Sequence, residues 1–166
     1  MKAPILVPLD GSHIAEQALS YAVAQAKREG SPILLVRAVS LPSLMLLPAM
    51  GMASMSTEAY QREAHSHRVD GEKYLHSKAA ELRAEGLDVT TQIALGTPTD
   101  VILNAMRESS PEMIVMTTHG RTGVGRWFLG SVAEDVLRQS PVPVLLIRSH
   151  PTTGPETNLQ GRTTPT

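Results

Sequence analysis

The chain has 166 residues, enough for one domain with a hydrophobic core. Its formal net charge of −1 argues against a nucleic-acid-binding protein, because such proteins carry a basic surface. The absence of cysteine excludes disulfides, a thiolate nucleophile and zinc sites built on cysteine. The longest mainly apolar stretch, residues 41–55, is too short to span a membrane, and prolines, serines and a glycine interrupt it. The N-terminus lacks a signal-peptide pattern, and we therefore expect a cytoplasmic protein.

Compact apolar runs alternate with helical patterns along the chain. Strands are predicted over residues 4–10, 32–39, 87–95, 111–118 and 141–148. The first helix is predicted between Ser12 as N-cap and Gly30 as C-cap, and the others over residues 57–85, 98–108 and 131–139. Thr97 followed by Pro98 is typical of the start of a helix.

Alternating strands and helices predict an α/β domain, a doubly wound, five-stranded parallel sheet with helices on both faces. With the strand order 3-2-1-4-5, the winding direction reverses between strands one and four, where such sheets bind ligands. Strand one ends at Asp10 and strand four ends near Thr117, so both residues are expected at this crevice. We predict one domain over residues 1–148, followed by a disordered tail over residues 149–166, which is rich in Thr, Pro and Gly.

A glycine-rich segment, MTTHGRTGVGRWFLGS over residues 116–131, connects the fourth strand to the last helix. It is either a turn that needs room or a backbone that wraps a phosphate. The phosphate interpretation is favoured by Gly130, which leaves the positive N-terminus of the helix accessible, and by the charges of Arg121 and Arg126. The other interpretation of the helix start is a capping box, formed by Ser131 and Glu134.

The segment resembles the nucleotide-binding type of the universal stress protein (UspA-like) family, in which G-x2-G-x9-G-S/T follows the fourth strand. Gly120, nine further residues, Gly130 and Ser131 match the second half of this motif, while Thr117 stands where the family has its first glycine. VPLDGS, LVRAV, GTPTDVI and PVPVLLIR resemble other family segments. The likeness extends over residues 2–148.

The resemblance implies a stress-response regulatory protein that binds ATP or AMP, with or without Mg²⁺, and that has little or no catalytic activity, at most that of a slow ATPase. It also implies the cofactor-binding residues by position. Asp10 would hold the ribose with Pro8 at the mouth of the site, the Ala38 backbone would meet the adenine edge, and Met116 and Thr117 would line the base and ribose. The phosphates would be held by Gly120, Arg121, Gly123, Gly130, Ser131 and Val132.

Two of these positions keep an alternative interpretation. A β-branched residue such as Thr117 does not readily adopt a positive φ, and it limits the approach of a ligand to the backbone. Because the family also includes members that do not bind nucleotide, a dimeric partner-binding protein of the same fold is the alternative function. Asp10 could instead cap a turn or the next helix.

The last strand, Val142–Arg148, is apolar on both faces although the predicted order places it at the edge of the sheet. This pattern predicts a homodimer paired through the strand; the alternative is an edge covered by helices. The methionine-rich segment over residues 45–55 is either a hydrophobic flap or an adaptable contact surface for a partner. The histidines at 65, 67 and 76 do not converge along a helix, and no metal site is expected.

Overall fold

The structure, a computed structural model, describes residues 2–40, 57–118 and 129–148. Its strands are β1 (Ile5–Pro8), β2 (Ile33–Val39), β3 (Val89–Leu95), β4 (Met113–Thr117) and β5 (Val144–Ile147). Its helices are α1 (His13–Glu29), α2 (Thr57–Ala84), α3 (Pro98–Ser109) and α4 (Ser131–Gln139). The methionine-rich segment and the tail from residue 149 lie outside the described residues, so the predictions made for them remain predictions.

All strands form one parallel sheet in the order β3-β2-β1-β4-β5, which confirms the predicted topology. The central strand β1 pairs with two neighbours, since Ile5 lies opposite Ile33 of β2 on one side and Met113 of β4 on the other. The chain winds outward from β1 to β3, and then returns to the other side for β4 and β5. The carboxyl ends of β1 and β4 therefore border the crevice at which the winding reverses.

The strands are buried on both faces because their side chains alternate between two apolar clusters. Ile5 and Val7 pack with α1 and α2, whereas Leu6 between them packs with α3 and α4. Helix α1 contributes a stripe of alanines, Ala15, Ala18, Ala22 and Ala26, and their small side chains let the helix lie close to the sheet. The helices thus cover both faces, as the doubly wound prediction requires.

The predicted caps of α1 and α3 are confirmed. The Ser12 hydroxyl accepts a hydrogen bond from the Ala15 N–H at 3.1 Å, and Gly30 ends α1 in the left-handed conformation at φ 66°. At the start of α3, the Thr97 hydroxyl accepts from the Asp100 N–H at 3.2 Å and donates to the Asp100 carboxylate at 2.6 Å. These bonds use backbone donors that lack partners in the first turn of a helix.

The fifth strand is shorter than predicted, because it begins at Val144 and not at Pro141. Pro141 and Pro143 have no N–H group and cannot donate to a sheet, although the Pro143 carbonyl still accepts a hydrogen bond from the Ile114 N–H at 2.9 Å. No helix in the described ranges is long and apolar enough to cross a membrane.

We expect Thr97→Ala to destabilise the fold by about 1 kcal/mol, because it removes the N-cap of α3. In a chain of this length, that loss corresponds to a decrease in melting temperature of roughly 2–4 °C. Ser66→Ala, on the exposed side of α2, is the matched control and should change stability by less than about 0.5 kcal/mol. Equal melting temperatures for the two variants would contradict the assigned role of the Thr97 cap.

Candidate functional site

An open cleft of about 520 Å³ lies at the carboxyl ends of β1, β2 and β4. Every cofactor-binding candidate that falls within the described residues lines it, namely Pro8, Asp10, Ala38, Met116, Thr117, Gly130, Ser131 and Val132. The structure therefore brings together residues that are far apart in the sequence. The remaining candidates, Gly120, Arg121 and Gly123, lie outside the described residues.

The two ends of the glycine-rich loop meet beside the sheet. The Thr118 N–H donates to the Ile147 carbonyl at 2.9 Å, and the Gly130 N–H donates to the Thr118 carbonyl at 2.8 Å. These bonds attach the beginning of α4 to the end of β4. The N-terminus of α4 is consequently held at the cleft by backbone contacts.

The capping-box interpretation of α4 is wrong. The N-cap is Gly130, whose backbone is extended at φ −61° and ψ 145°, so Ser131 is already the first helical residue. The first intrahelical bond runs from the Glu134 N–H to the Gly130 carbonyl at 2.9 Å. The N–H groups of Ser131, Val132 and Ala133 have no intrahelical acceptor because they lie in the first turn, and the Gly130 N-cap has no side chain that could accept from them. All three residues border the cleft.

Asp10 forms the turn that the alternative interpretation predicted. Its Oδ1 atom accepts hydrogen bonds from the Ser12 N–H at 2.9 Å and from the Ser12 hydroxyl at 2.6 Å. The same carboxylate lines the cleft. Asp10 thus connects the β1–α1 turn to the candidate site.

Thr117 does not need the backbone conformation that a β-branched residue resists. It is the last residue of β4, lies opposite Ile147 and is 6% exposed. Among the described residues other than glycine, only Ser110 has a positive φ. The first objection to Thr117, that a β-branched residue resists a positive φ, therefore does not apply. The second, that it limits the approach of a ligand to the backbone, remains because Thr117 lines the cleft.

Arg37 also lines the cleft, although it was not among the site residues predicted from the sequence. Alternation along β2 directs Ile33, Leu35 and then Arg37 towards α1 and α2. The Arg37 guanidinium carbon lies 4.9 Å from the centre of the Tyr74 ring of α2, within the range of a cation–π interaction. Arg37 is a charged residue inside the otherwise apolar strand ILLVRAV, and this exception to the pattern is the feature by which the sequence could have identified it as a site residue.

Tyr74 is held in place by α1. Its hydroxyl donates to the Glu16 carboxylate at 2.9 Å, and Lys78 lies 3.4 Å from the other oxygen of the same carboxylate. Burial, together with the hydrogen bond to Glu16, raises the pKa of Tyr74 above its usual range. The protonated phenol donates to Glu16, and its ring lies beneath the guanidinium of Arg37.

The histidines of α2 do not form a metal centre with other described residues. No group of three or more His, Asp or Glu side chains with a suitable arrangement occurs in the ranges 2–40, 57–118 and 129–148. Within its described part, the candidate site combines backbone N–H groups, apolar walls, the hydroxyl-bearing residues Ser40, Thr117, Thr118 and Ser131, one carboxylate and one guanidinium.

This sheet order, with a cleft at the point where the winding reverses, defines the class of doubly wound α/β proteins. A family model described as the universal stress protein family matches residues 1–148. The chain belongs to this family.

The chain is similar to individual proteins in sequence and in fold. A universal stress protein of Thermus aquaticus is 31% identical over 151 residues, which cover 87% of this chain and 97% of that protein. The structure of the hypothetical protein MJ0577 matches with a TM-score of 0.70 and 25% identity, covering 90% of this chain and 98% of the other. The universal stress protein of Archaeoglobus fulgidus, solved in complex with dAMP, has the same fold, with a TM-score of 0.59, 24% identity, and coverage of 87% and 96%.

We expect Ser131→Ala to leave fold stability within about 0.5 kcal/mol of the original, because Ser131 is a helical residue and not the cap, and alanine has a high helix propensity. Denaturant midpoints of the two proteins should coincide. A loss of about 1 kcal/mol, the usual cost of removing a cap, would restore the capping interpretation.

Proposed function

We propose that the cleft binds an adenine nucleotide, ATP or AMP, and that the protein acts as a nucleotide-dependent stress-response regulator. The observation that carries the proposal is the N-terminus of α4, where three N–H groups without intrahelical acceptors border the cleft and Gly130 has no side chain to obstruct it. Such helix ends favour phosphate through their free donors and their dipole.

The rest of the cleft suits the remaining parts of a nucleotide. Its volume of about 520 Å³ lies within the range of roughly 300–1,000 Å³ that is usual for small-molecule sites. We assign the apolar wall of Ala38 and Met116 to the base, Asp10 to the ribose, and residues 130–132 to the phosphates. The loop residues Gly120, Arg121 and Gly123 are proposed as further phosphate contacts.

Two further observations support binding without rapid turnover. The Archaeoglobus fulgidus protein of the same fold was solved with dAMP, so this fold can hold an adenine nucleotide. Among the described lining residues, Asp10 is the only carboxylate. Efficient Mg²⁺-dependent hydrolysis typically needs more anionic ligands or an activated base than this part of the site supplies.

Substitutions at the start of α4 should separate binding from folding. We expect Ser131→Ala and Gly130→Val to weaken ATP affinity by about tenfold or more, because a hydrogen bond to a charged phosphate is lost or its approach is blocked. Gly130→Val should still fold, since φ −61° and ψ 145° suit any residue. Calorimetric titration with ATP and AMP measures the change, and Ser66→Ala is the control that should bind normally.

Thr117→Gly should tighten binding if its side chain restricts access to the backbone. The proposal fails if the original protein and Thr117→Gly both show no heat and no thermal shift at millimolar nucleotide. That result would leave the dimeric partner-binding protein as the preferred function.

We also propose a homodimer that pairs through β5. This strand is at the edge of the sheet, and Leu145 at its centre is 38% exposed. An edge strand with an exposed apolar side chain and no lysine favours pairing with a second copy. Leu146 faces the opposite way and packs against the core beside α3 and α4, so it also serves the monomer fold.

We expect Leu145→Lys to shift the mass measured by light scattering towards the monomer, because it places a charge at the centre of the proposed interface. Leu95→Lys is the matched control, since Leu95 is 52% exposed on the opposite edge strand, β3. Dissociation by Leu95→Lys alone would place the interface at β3, and an unchanged mass for both variants would exclude both edges.

A further inference from the structure

We propose that Arg37 makes the cleft selective for adenine nucleotides that carry a second phosphate on the ribose, at the 2′ or the 3′ hydroxyl. This inference rests on the proposed function, because it assumes that Asp10 meets the ribose. The N-terminus of α4 would bind the 5′-phosphates of any adenine nucleotide, whereas Arg37 would favour those with a second phosphate on the ribose.

Arg37 lies at the ribose end of the cleft. Among the described lining residues it is the only cation and Asp10 is the only anion. A methyl group added to Gly11, the residue after Asp10, would lie 2.7 Å from Nη1 and 3.3 Å from Nη2 of Arg37. The guanidinium therefore lies against the backbone of the β1–α1 turn, directly beside the residue assigned to the ribose.

Several contacts hold this guanidinium in place. The Tyr74 ring lies under it, and Glu16 fixes the ring through the phenol hydroxyl. Gly71 of α2 lies beside the stem of Arg37, since a methyl group there would be 3.3 Å from both Cδ and Nε and would collide with Ile93. The lack of a side chain at Gly71 thus lets α2 approach β2, and the cation is positioned before any ligand arrives.

The two phosphate-attracting groups belong to opposite faces of the sheet. The α4 helix packs on one face of the sheet, and Arg37 points to the face covered by α1 and α2. A nucleotide whose 5′-phosphates reach α4 and whose ribose hydroxyls reach Asp10 therefore directs a substituent on those hydroxyls towards Arg37.

The chemistry of the pair matches such a substituent. Asp10 would accept a hydrogen bond from the ribose hydroxyl that stays free, whereas the neighbouring arginine would accommodate a phosphate on the other hydroxyl. The Asp10 Oδ1 atom accepts hydrogen bonds from the backbone N–H and the hydroxyl of Ser12 at the start of α1, which orient the carboxylate at the mouth of the cleft. Arginine binds phosphate through paired N–H groups, so the match is geometric as well as electrostatic.

The test compares the affinities of adenosine 2′,5′-bisphosphate, adenosine 3′,5′-bisphosphate and AMP by calorimetric titration. We expect at least one bisphosphate to bind about tenfold or more tightly than AMP, as a charge-assisted contact would produce. In Arg37→Gln the ratio of the bisphosphate affinity to the AMP affinity should fall towards one. Arg37→Lys, which keeps the charge without the paired donors, should retain part of it, and thermal melting confirms that each variant is folded.

Arg107→Gln is the matched control, because it removes the same charge from an exposed site on α3 and should leave the ratio unchanged. If AMP binds but neither bisphosphate binds more tightly, the proposal that Arg37 selects ribose-phosphorylated nucleotides is wrong, while the proposed function stands. A ratio that survives Arg37→Gln likewise overturns the assignment to Arg37. If none of these three ligands binds although ATP does, this inference is wrong; failure of ATP to bind as well also overturns the proposed function.

Discussion

The complete burial of the central strand β1 is the constraint on which the rest of the structure depends. Ile5, Leu6 and Val7 are all fully buried, with side chains on both faces and paired strands on both edges. A parallel strand in this position needs helices above and below it, and neighbours to its left and right. The chain supplies these helices and strands by winding from β1 to β3 on one side and then returning to β4 and β5 on the other side. This reversal leaves a crevice at the carboxyl end of β1.

The cleft is therefore a consequence of core burial, and its two ends are built differently. At α4 the groups are main-chain donors, positioned because the Gly130 N–H bonds to Thr118 and Thr118 bonds to β5. At the β1–α1 turn the groups are side chains, Asp10 held by Ser12 and Arg37 held over Tyr74. The first arrangement follows from the path of the backbone, whereas the second depends on packing between α2 and the sheet.

Local sequence patterns predicted the elements well where a local bond forms the feature. Ser12 and Thr97 cap their helices through atoms a few residues away, and Gly30 ends α1 through its own left-handed conformation. The pattern failed at α4, where a serine followed by a glutamate suggested a capping box. A serine N-cap at position 131 would require the helix to start at Val132, but it starts one residue earlier, at Ser131. Sequence patterns locate helix ends only to within one or two residues. The hydrogen bond from the Gly130 N–H to the Thr118 carbonyl is a contact outside the helix that the local pattern does not contain.

The sequence by itself determined the order of the elements, the doubly wound sheet and the crevice between β1 and β4, because these follow from hydrophobic periodicity and the right-handed crossover. It also identified Asp10 and Gly130 as residues that meet there. Only the tertiary structure decided that Arg37 joins them. The contacts that hold its guanidinium come from Gly11, Gly71 and Tyr74, on elements distant in the sequence, and no local pattern encodes how closely a helix approaches a strand.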